Sequence, residues 1–286
     1  IATIDKYFGG LKPNPDLPKL DLPKETPITA PVVREILGPD AESVALAWRF
    51  PGAADKDVET LQVVSQILYN GQAGLIDLDL TQQQKTLSAY CYPMTMSDYS
   101  AFMMQGRPKQ GQTLDEVKDL LLGELKKLRE GDFDEKMLEA NINNFKLYQM
   151  QQLENNDARA DMFVESFVNG SDWADEVTAL DRMSKLTKDD IVAFANKYLK
   201  DDNYAVIYKK QGKDPNEKKM SKPEITPIVM NRDTVSTFLK EIQASVVTPI
   251  EPVFLDYSKD LTQLKAKSDI PVLYKQNTTN DIFQLI

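Results

Sequence analysis

The stretch from Ser43 to Leu68 constrains the fold of this chain most strongly, because it reads as a strand, a tight turn and a helix. Large side chains alternate with mostly small ones along its first part, a period of two that is typical of a strand with one buried face. The large side chains are Val44, Leu46, Trp48 and Phe50. After Pro51-Gly52, apolar residues recur at helical spacing, and the Asp55 side chain can cap the helix. A strand followed by an amphipathic helix that can fold back onto it predicts a two-layer core of sheet and helix.

Further strands and a series of helices complete the predicted domain over residues 43–210. The runs Thr86–Tyr92 and Tyr99–Gln105 read as strands, and the short turn between them predicts an antiparallel pair. A capping box at Thr113 predicts the start of a helix, and later helices lead to a final strand over Tyr204–Tyr208. This order predicts an α+β fold, a two-layer sandwich with a largely antiparallel sheet and helices packed on one of its faces.

Proline-rich stretches divide the chain outside this domain. Prolines crowd residues 13–31 and so forbid a regular helix or a central strand there. A polar stretch with further prolines follows residue 210, and strand-like runs begin after it. We therefore expect the end of a preceding domain (1–12), a proline-rich linker (13–42), one complete domain (43–210), a linker with a helix (211–250) and the start of a third, truncated domain (251–286).

Composition excludes several kinds of chemistry. The chain has no histidine, which removes Ser-His-Asp and Cys-His catalysis and nearly every catalytic zinc site. Its formal net charge of −10 argues against nucleic acid as a partner, since phosphate binding needs a surplus of Lys and Arg. No apolar run approaches the roughly 20 residues that cross a bilayer. The single cysteine, Cys91, can form no internal disulfide, and we expect it to be a buried, unreactive thiol.

Two short motifs are better explained by structure than by chemistry. The loop 106–113 has Gln112 where a phosphate-binding loop has its lysine, so we interpret it as a turn from a strand into a helix. Asp77 and Asp79 lack the spacing of a calcium loop, so we expect surface carboxylates rather than a metal pair. From the residues alone we expect neither a catalytic residue nor a metal ligand in this chain.

The ordered set of these elements resembles the pitrilysin/insulinase family of zinc metallopeptidases. The segments that carry the resemblance are 41–68, 113–146 and 183–210, which look like the second, non-catalytic domain of one half of such an enzyme. Residues 1–11 resemble the last helix of the preceding metal-bearing domain, and the region beyond about residue 245 resembles the opening of a third domain. The resemblance implies the two-layer, ferredoxin-like or LuxS-like domain of that family.

What the family uses for catalysis does not carry over to this chain. Members bind zinc through H-x-x-E-H in the first domain, with the Glu as general base, and this chain has no His. In the domain that closes the opposite half, the family often holds the substrate backbone with an Arg and, seven residues later, a Tyr. Tyr90 falls near that Tyr by pattern, but Gln83 stands where the Arg would be. The resemblance therefore leaves Tyr90 as the one substrate-binding candidate, and its alternation with Cys91 explains it equally as part of a sheet.

Two hypotheses for function follow from the resemblance. In the first, the chain is an internal region of a zinc-dependent metalloendopeptidase, where it forms part of the wall of a clamshell chamber and contacts the other domains and the peptide substrate. The chain alone would then bind no zinc and cleave nothing, and zinc would lie in the first domain of the parent. In the second, the parent is a non-proteolytic homologue that acts as a scaffold or peptide-binding subunit. A third option is a free-standing peptide-binding domain. Two-half bacterial members are often exported, which favours the periplasm.

Overall fold

The computed structural model describes residues 1–18, 23–215, 222–227 and 234–286. Parts of the predicted linkers 13–42 and 211–250 therefore lie outside the described residues. Within the described part, the elements form one mixed five-stranded sheet, a layer of helices and a separate two-stranded hairpin. This is the predicted α+β architecture.

The sheet has the strand order β1-β5-β2-β4-β3. Its strands are β1 (Val32–Gly38), β2 (Ser43–Pro51), β3 (Ser88–Met94), β4 (Tyr99–Arg107) and β5 (Tyr204–Gln211). β1 pairs with β5 in parallel, and the other pairs are antiparallel. The predicted antiparallel pairing of the third and fourth strands is thus confirmed, and the sheet is largely antiparallel.

Helices connect the strands and follow them along the chain. They are α1 (Ala2–Phe8), α2 (Asp57–Leu68), α3 (Leu114–Glu130), α4 (Glu135–Gln152), α5 (Asn156–Asn169), α6 (Trp173–Met183), α7 (Lys188–Tyr198) and α8 (Thr237–Ala244). A turn of π-helix covers Asp77–Thr81, and a 3₁₀ turn (Lys267–Asp269) joins β6 (Thr262–Lys265) to β7 (Pro271–Tyr274). The capping box predicted at Thr113 begins α3, because its side chain accepts from the N–H of Glu116.

The core lies between one face of the sheet and the helices α2, α3 and α7. Along β2, burial alternates as predicted, with every large residue from Val44 to Phe50 inaccessible to solvent. The ring of Trp48 lies 5.2 Å from that of Tyr204, and its indole N–H donates to the carbonyl of Lys200 at 3.1 Å. Phe50 stacks on Phe194 of α7 at 5.7 Å. The aromatic side chains of β2 therefore join the sheet to the helix layer.

The sheet begins upstream of the predicted domain. β1 lies inside the range 13–42 that the sequence predicts as a linker, and it pairs with β5 over Val32–Gly38. Residues 23–27 also contact the sheet, since the N–H of Glu25 donates to the hydroxyl of Tyr99 at 3.0 Å. Arg49 donates to the carbonyl of Thr26 at 3.0 Å. This part of the proline-rich stretch runs along the sheet.

The two ends of the described chain have no core of their own. Among the residues of 1–18 and 234–286 whose burial is described, none is buried. Several large apolar side chains there are almost fully exposed; examples are Val246, Val253, Phe254 and Phe283. One contact to the domain is the 2.6 Å hydrogen bond from the amide of Asn280 to Glu154.

The close approach of β4 to α3 gives a test of this packing. A Cβ added at Gly106 would lie 2.4 Å from Cγ1 of Val117, a fully buried β-branched side chain. We expect Gly106→Ala to lower the free energy of unfolding by about 1–3 kcal/mol through overpacking. The matched control is Gly123→Ala within α3, where a Cβ meets nothing within 4 Å. That change should raise stability by about 0.5–1 kcal/mol because alanine favours helix. Denaturant unfolding measures both, and equal effects would contradict the packing.

Candidate functional site

The sheet presents a second face that the core helices do not cover, here called the open face. Its side chains are partly exposed: Ala45, Ala47 and Arg49 on β2, Tyr90 and Tyr92 on β3, Ala101, Met103 and Gln105 on β4, and Ala205 and Ile207 on β5. The register places Ala47 between Met103 and Ala205, and Ala45 between Gln105 and Ile207. Small side chains thus occupy the middle of this face, and larger ones flank them.

Aromatic side chains line the β3 edge of the open face. The rings of Tyr90 and Tyr92 stack at 6.1 Å, and the ring of Tyr69, at the end of α2, lies 6.3 Å from that of Tyr90. The hydroxyl of Tyr90 donates to Oε1 of Gln105 on the neighbouring strand. Tyr90 therefore has a role within the sheet, and its use in substrate binding remains a prediction.

Gln83, at the position of the family's arginine, lies just after the π-helical turn. Its side-chain amide donates to Oδ1 of Asp79 at 3.3 Å. An amide in this place carries no charge that could hold a peptide backbone carbonyl as an arginine does. Where the family pattern has an arginine, this chain thus has an uncharged amide that binds a carboxylate of the same segment.

Asp77 differs from the surface carboxylate that the sequence predicts. Its side chain is 4% exposed, and Oδ2 accepts from the backbone N–H groups of Asn70, Gly71 and Gly74 at 3.0, 3.1 and 2.9 Å. The expectation of a surface position was wrong for this residue, because the loop after α2 folds around the carboxylate. Its hydrogen bonds show a structural carboxylate that fixes the 70–74 loop.

Asp79 joins a small charged network instead of a metal pair. Nζ of Lys127 lies 2.7 Å from Asp79 and 3.0 Å from Glu124, whose side chain is nearly inaccessible. Burial raises the pKa of the Glu124 carboxyl, while the hydrogen bond from Lys127 works in the opposite direction. The network holds the π-helical turn against α3.

Cys91 is the buried thiol that the sequence predicts. It is 4% exposed, and Sγ lies 3.7 Å from the carbonyl oxygen of Ser65. Burial raises the pKa of this thiol far above its usual value, so the thiolate needed for nucleophilic attack or metal binding is disfavoured. The loop 106–113 is likewise the predicted turn, in which Gln112 donates to the carbonyl of Lys85 at 2.9 Å.

Within the ranges that the structure describes, no group of three or more Cys, Asp or Glu side chains is arranged to hold a metal ion. No helix in the described part is both long and apolar enough to cross a membrane. The open face is a partly apolar sheet surface with aromatic side chains along its β3 edge. Such a surface can bind an extended chain, and it contains no nucleophile paired with a base. The alternation of small side chains along β2 is the sequence signal for this face, and by itself it predicts only a strand with one buried side.

Comparison with known proteins places this fold in a family. Residues 1–145 match the family described as the peptidase M16 inactive domain. The zinc protease PqqE of Helicobacter pylori is 25% identical over 211 residues, which cover 72% of this chain and 47% of that protein. The chain thus spans about half the length of the curated relative it matches.

Solved structures agree with the fold. The crystal structure of a protease from Helicobacter pylori has a TM-score of 0.67 at 21% identity, covering 72% of this chain and 51% of that one. The periplasmic protease PqqL from Escherichia coli has a TM-score of 0.57 at 12% identity, covering 98% of this chain and 33% of that one. At these identities the structures support the fold alone.

The buried Asp77 carboxylate gives a test of the loop that it organises. We expect Asp77→Ala to lower the free energy of unfolding by about 3 kcal/mol, because it leaves backbone donors without an acceptor. Asp79→Ala is the matched control two residues away. It removes a partly exposed ion pair and should cost at most about 1 kcal/mol. Urea unfolding of both variants checks this, and losses of equal size would argue against the assigned role of Asp77.

Glu124 gives a pH test. Its pKa is raised in the folded state, so the folded protein binds this proton more strongly than the unfolded chain does, where a glutamate titrates near about 4.3. This contribution to stability is therefore lost as the pH rises from about 4 towards neutrality. The Glu124→Gln variant has no carboxyl to titrate at this position. The difference in unfolding free energy between the wild type and this variant should therefore fall as the pH rises from about 4 towards neutrality. Denaturant unfolding at several pH values measures the difference, and a rise would contradict it.

Proposed function

The chain belongs to the family of peptidase M16 inactive domains, and from this premise we propose that it is the non-catalytic part of a zinc-dependent endopeptidase. In this proposal the domain forms part of the wall of a chamber that holds a peptide substrate. The open face is the surface turned towards the peptide.

The observation that carries this proposal is the open face itself. Small side chains at Ala45 and Ala47 leave space above the central strand, and Tyr92 and Met103 offer apolar contact beside it. Contacts of this kind hold extended peptides without selecting one sequence, because they rely on side-chain area rather than on a buried charge. A wall that admits many peptides needs this property.

The residues of this chain do not fit a catalytic zinc ion. It has no histidine, and its one thiol is buried and held at the carbonyl of Ser65. In the proposal the zinc and its general base therefore lie in another domain of the parent protein. No step of the reaction passes through the side chains described here.

The exposed apolar residues at both ends support contacts with further domains of the parent. Ile4, Tyr7 and Phe8 of α1 are mostly exposed, as are Phe238 and Ile242 of α8. Apolar side chains that find no core within the described residues gain stability by burial against another surface. The segments 1–12 and 251–286 are accordingly proposed as pieces of neighbouring domains, and 43–210 together with the strand β1 (Val32–Gly38) as the complete domain.

A periplasmic location is part of the proposal. It is supported by the fold shared with PqqL, which is described as a periplasmic protease.

The test uses the complete gene product that contains this chain. The purified protein should contain zinc and cleave unstructured peptides. Met103→Glu places a carboxylate on the open face and should raise KM about tenfold with kcat and zinc content unchanged, because substrate contacts are lost while the catalytic group is intact.

The control for this experiment is Val177→Glu on α6, which makes the same kind of change at a residue that is 51% exposed in the helix layer. It should leave KM unaltered, and thermal unfolding checks that both variants fold. An unchanged KM in Met103→Glu would show that the substrate does not contact the open face. A gene product that lacks H-x-x-E-H, zinc and cleavage would favour the non-proteolytic scaffold instead.

A further inference from the structure

A cleft of about 520 Å³ lies in the helix layer, on the side of the domain away from the open face. It is bounded by the start of α2, the last turns of α4, and the helices α5 and α6. Its volume falls within the usual range for ligand pockets, so it has room for one arginine side chain and part of the segment that carries it. We call it the helical cleft.

The lining combines carboxylates with flat and flexible apolar groups. The carboxylates are Asp55, Glu59, Asp161, Glu165, Asp175 and Glu176, against one lining ammonium, that of Lys56. Apolar and aromatic walls come from Tyr148, Met162, Trp173 and Met183. A stacked contact at 4.2 Å with Phe163 holds the Trp173 ring in place.

Some of these carboxylates are explained by the fold. Glu59 binds the guanidinium of Arg182, with one of the hydrogen bonds at 3.0 Å. Asp175 lies 3.4 Å from Lys56 and 3.6 Å from Arg182. Both Asp175 and Glu176 stand in the first turn of α6, where negative charge stabilises a helix.

Asp161 and Glu165 are different. They lie in the second and third turns of α5 with exposed side chains, and within the described residues neither forms an ion pair. Their spacing of four residues brings two like charges together on one face, which destabilises an isolated helix. Both side chains line the helical cleft. A cation in the cleft would remove this repulsion.

We propose that the helical cleft binds an arginine side chain of a polypeptide segment. Asp161 and Glu165 pair with the guanidinium, and the ring of Trp173 supports its planar face. A guanidinium fits better than a metal ion because the cleft supplies an aromatic surface beside the carboxylates, and Arg is the cation that combines bidentate pairing with stacking. The aliphatic part of the arginine contacts Met162 and Met183. This site is separate from the proposed peptidase role.

The direct test titrates the chain with an octapeptide that has two arginines in a glycine–serine background. Its isosteric control carries citrulline, which keeps the shape of arginine and removes the charge. Trp173 and Trp48 are the only tryptophans of the chain, and Trp48 is 1% exposed. The intrinsic fluorescence change should therefore come from Trp173, and calorimetry gives the dissociation constant. The arginine peptide should bind, and the citrulline peptide should bind at least about tenfold more weakly.

Variants separate the cleft from general charge attraction. The double variant Asp161→Asn with Glu165→Gln should weaken binding of the arginine peptide about tenfold, while both side chains keep their size. The matched control, Asp119→Asn with Asp189→Asn, removes the same charge at exposed positions outside the cleft and should leave the affinity unchanged. Trp173→Phe should weaken binding several-fold through the smaller ring.

Three outcomes would overturn the proposal. Equal affinity for the arginine and citrulline peptides would remove the role of charge. Unchanged binding in the Asp161 and Glu165 variant would show that the arginine binds at another place. Equal weakening in the control variant would show that the affinity depends on the net charge of the chain and not on the cleft. None of these outcomes bears on peptide cleavage by the parent protein, so failure here is distinct from failure of the proposed function.

Discussion

The burial of large side chains along one face of β2 is the interaction on which the rest of this domain depends. β2 is the central strand, hydrogen-bonded to β5 on one side and β4 on the other. Trp48 and Phe50 reach from it into the helix layer, where they contact the rings of Tyr204 and Phe194. A shift of one residue in its register would place Arg49 in the core, so the register is strongly specified.

Four polar side chains near this core, those of Asp77, Asp79, Glu124 and Lys127, form contacts that stabilise the fold. Asp77 gathers the N–H groups of the 70–74 loop, and Lys127 joins Asp79 to the nearly buried Glu124. Each of these four side chains has a partner that compensates its loss of hydration. These carboxylates are thus engaged in hydrogen bonds and ion pairs within the fold. The surfaces open to other molecules therefore lie outside the network.

Two such surfaces differ in chemistry and in position. The open face is broad and carries small side chains in its middle, which suits an extended peptide of varied sequence. The helical cleft is lined by six carboxylates and by aromatic and methionine side chains, and in our proposal it takes one arginine side chain. The sheet separates them, because its buried face supports the helices and its other face does not. The two proposals together give this domain one binding surface on its sheet side and another among its helices.

Local patterns in the sequence predicted the elements that depend on neighbouring residues. The alternation along β2, the capping box at Thr113 and the antiparallel pair β3–β4 depend on period, caps and a short turn, all of which are readable within a few residues. The lack of histidine excluded most catalytic chemistry before any fold was considered. The α+β class followed from the order of these elements.

Contacts between distant segments had no such local signal. β1 joins the sheet only because β5, far along the chain, offers it a parallel partner, and its own residues remain partly exposed. Asp77 is buried because a loop closes around it, and two aspartates separated by one residue in a sequence do not reveal which one will be enclosed. The helical cleft brings together side chains from several helices, so that Asp161 of α5 and Trp173 of α6 line the same cavity. Residue spacing along the chain predicts helix caps, turns and the apolar face of each helix or strand. The position of β1, the burial of Asp77 and the helical cleft depend instead on which helices and strands pack together when the chain folds.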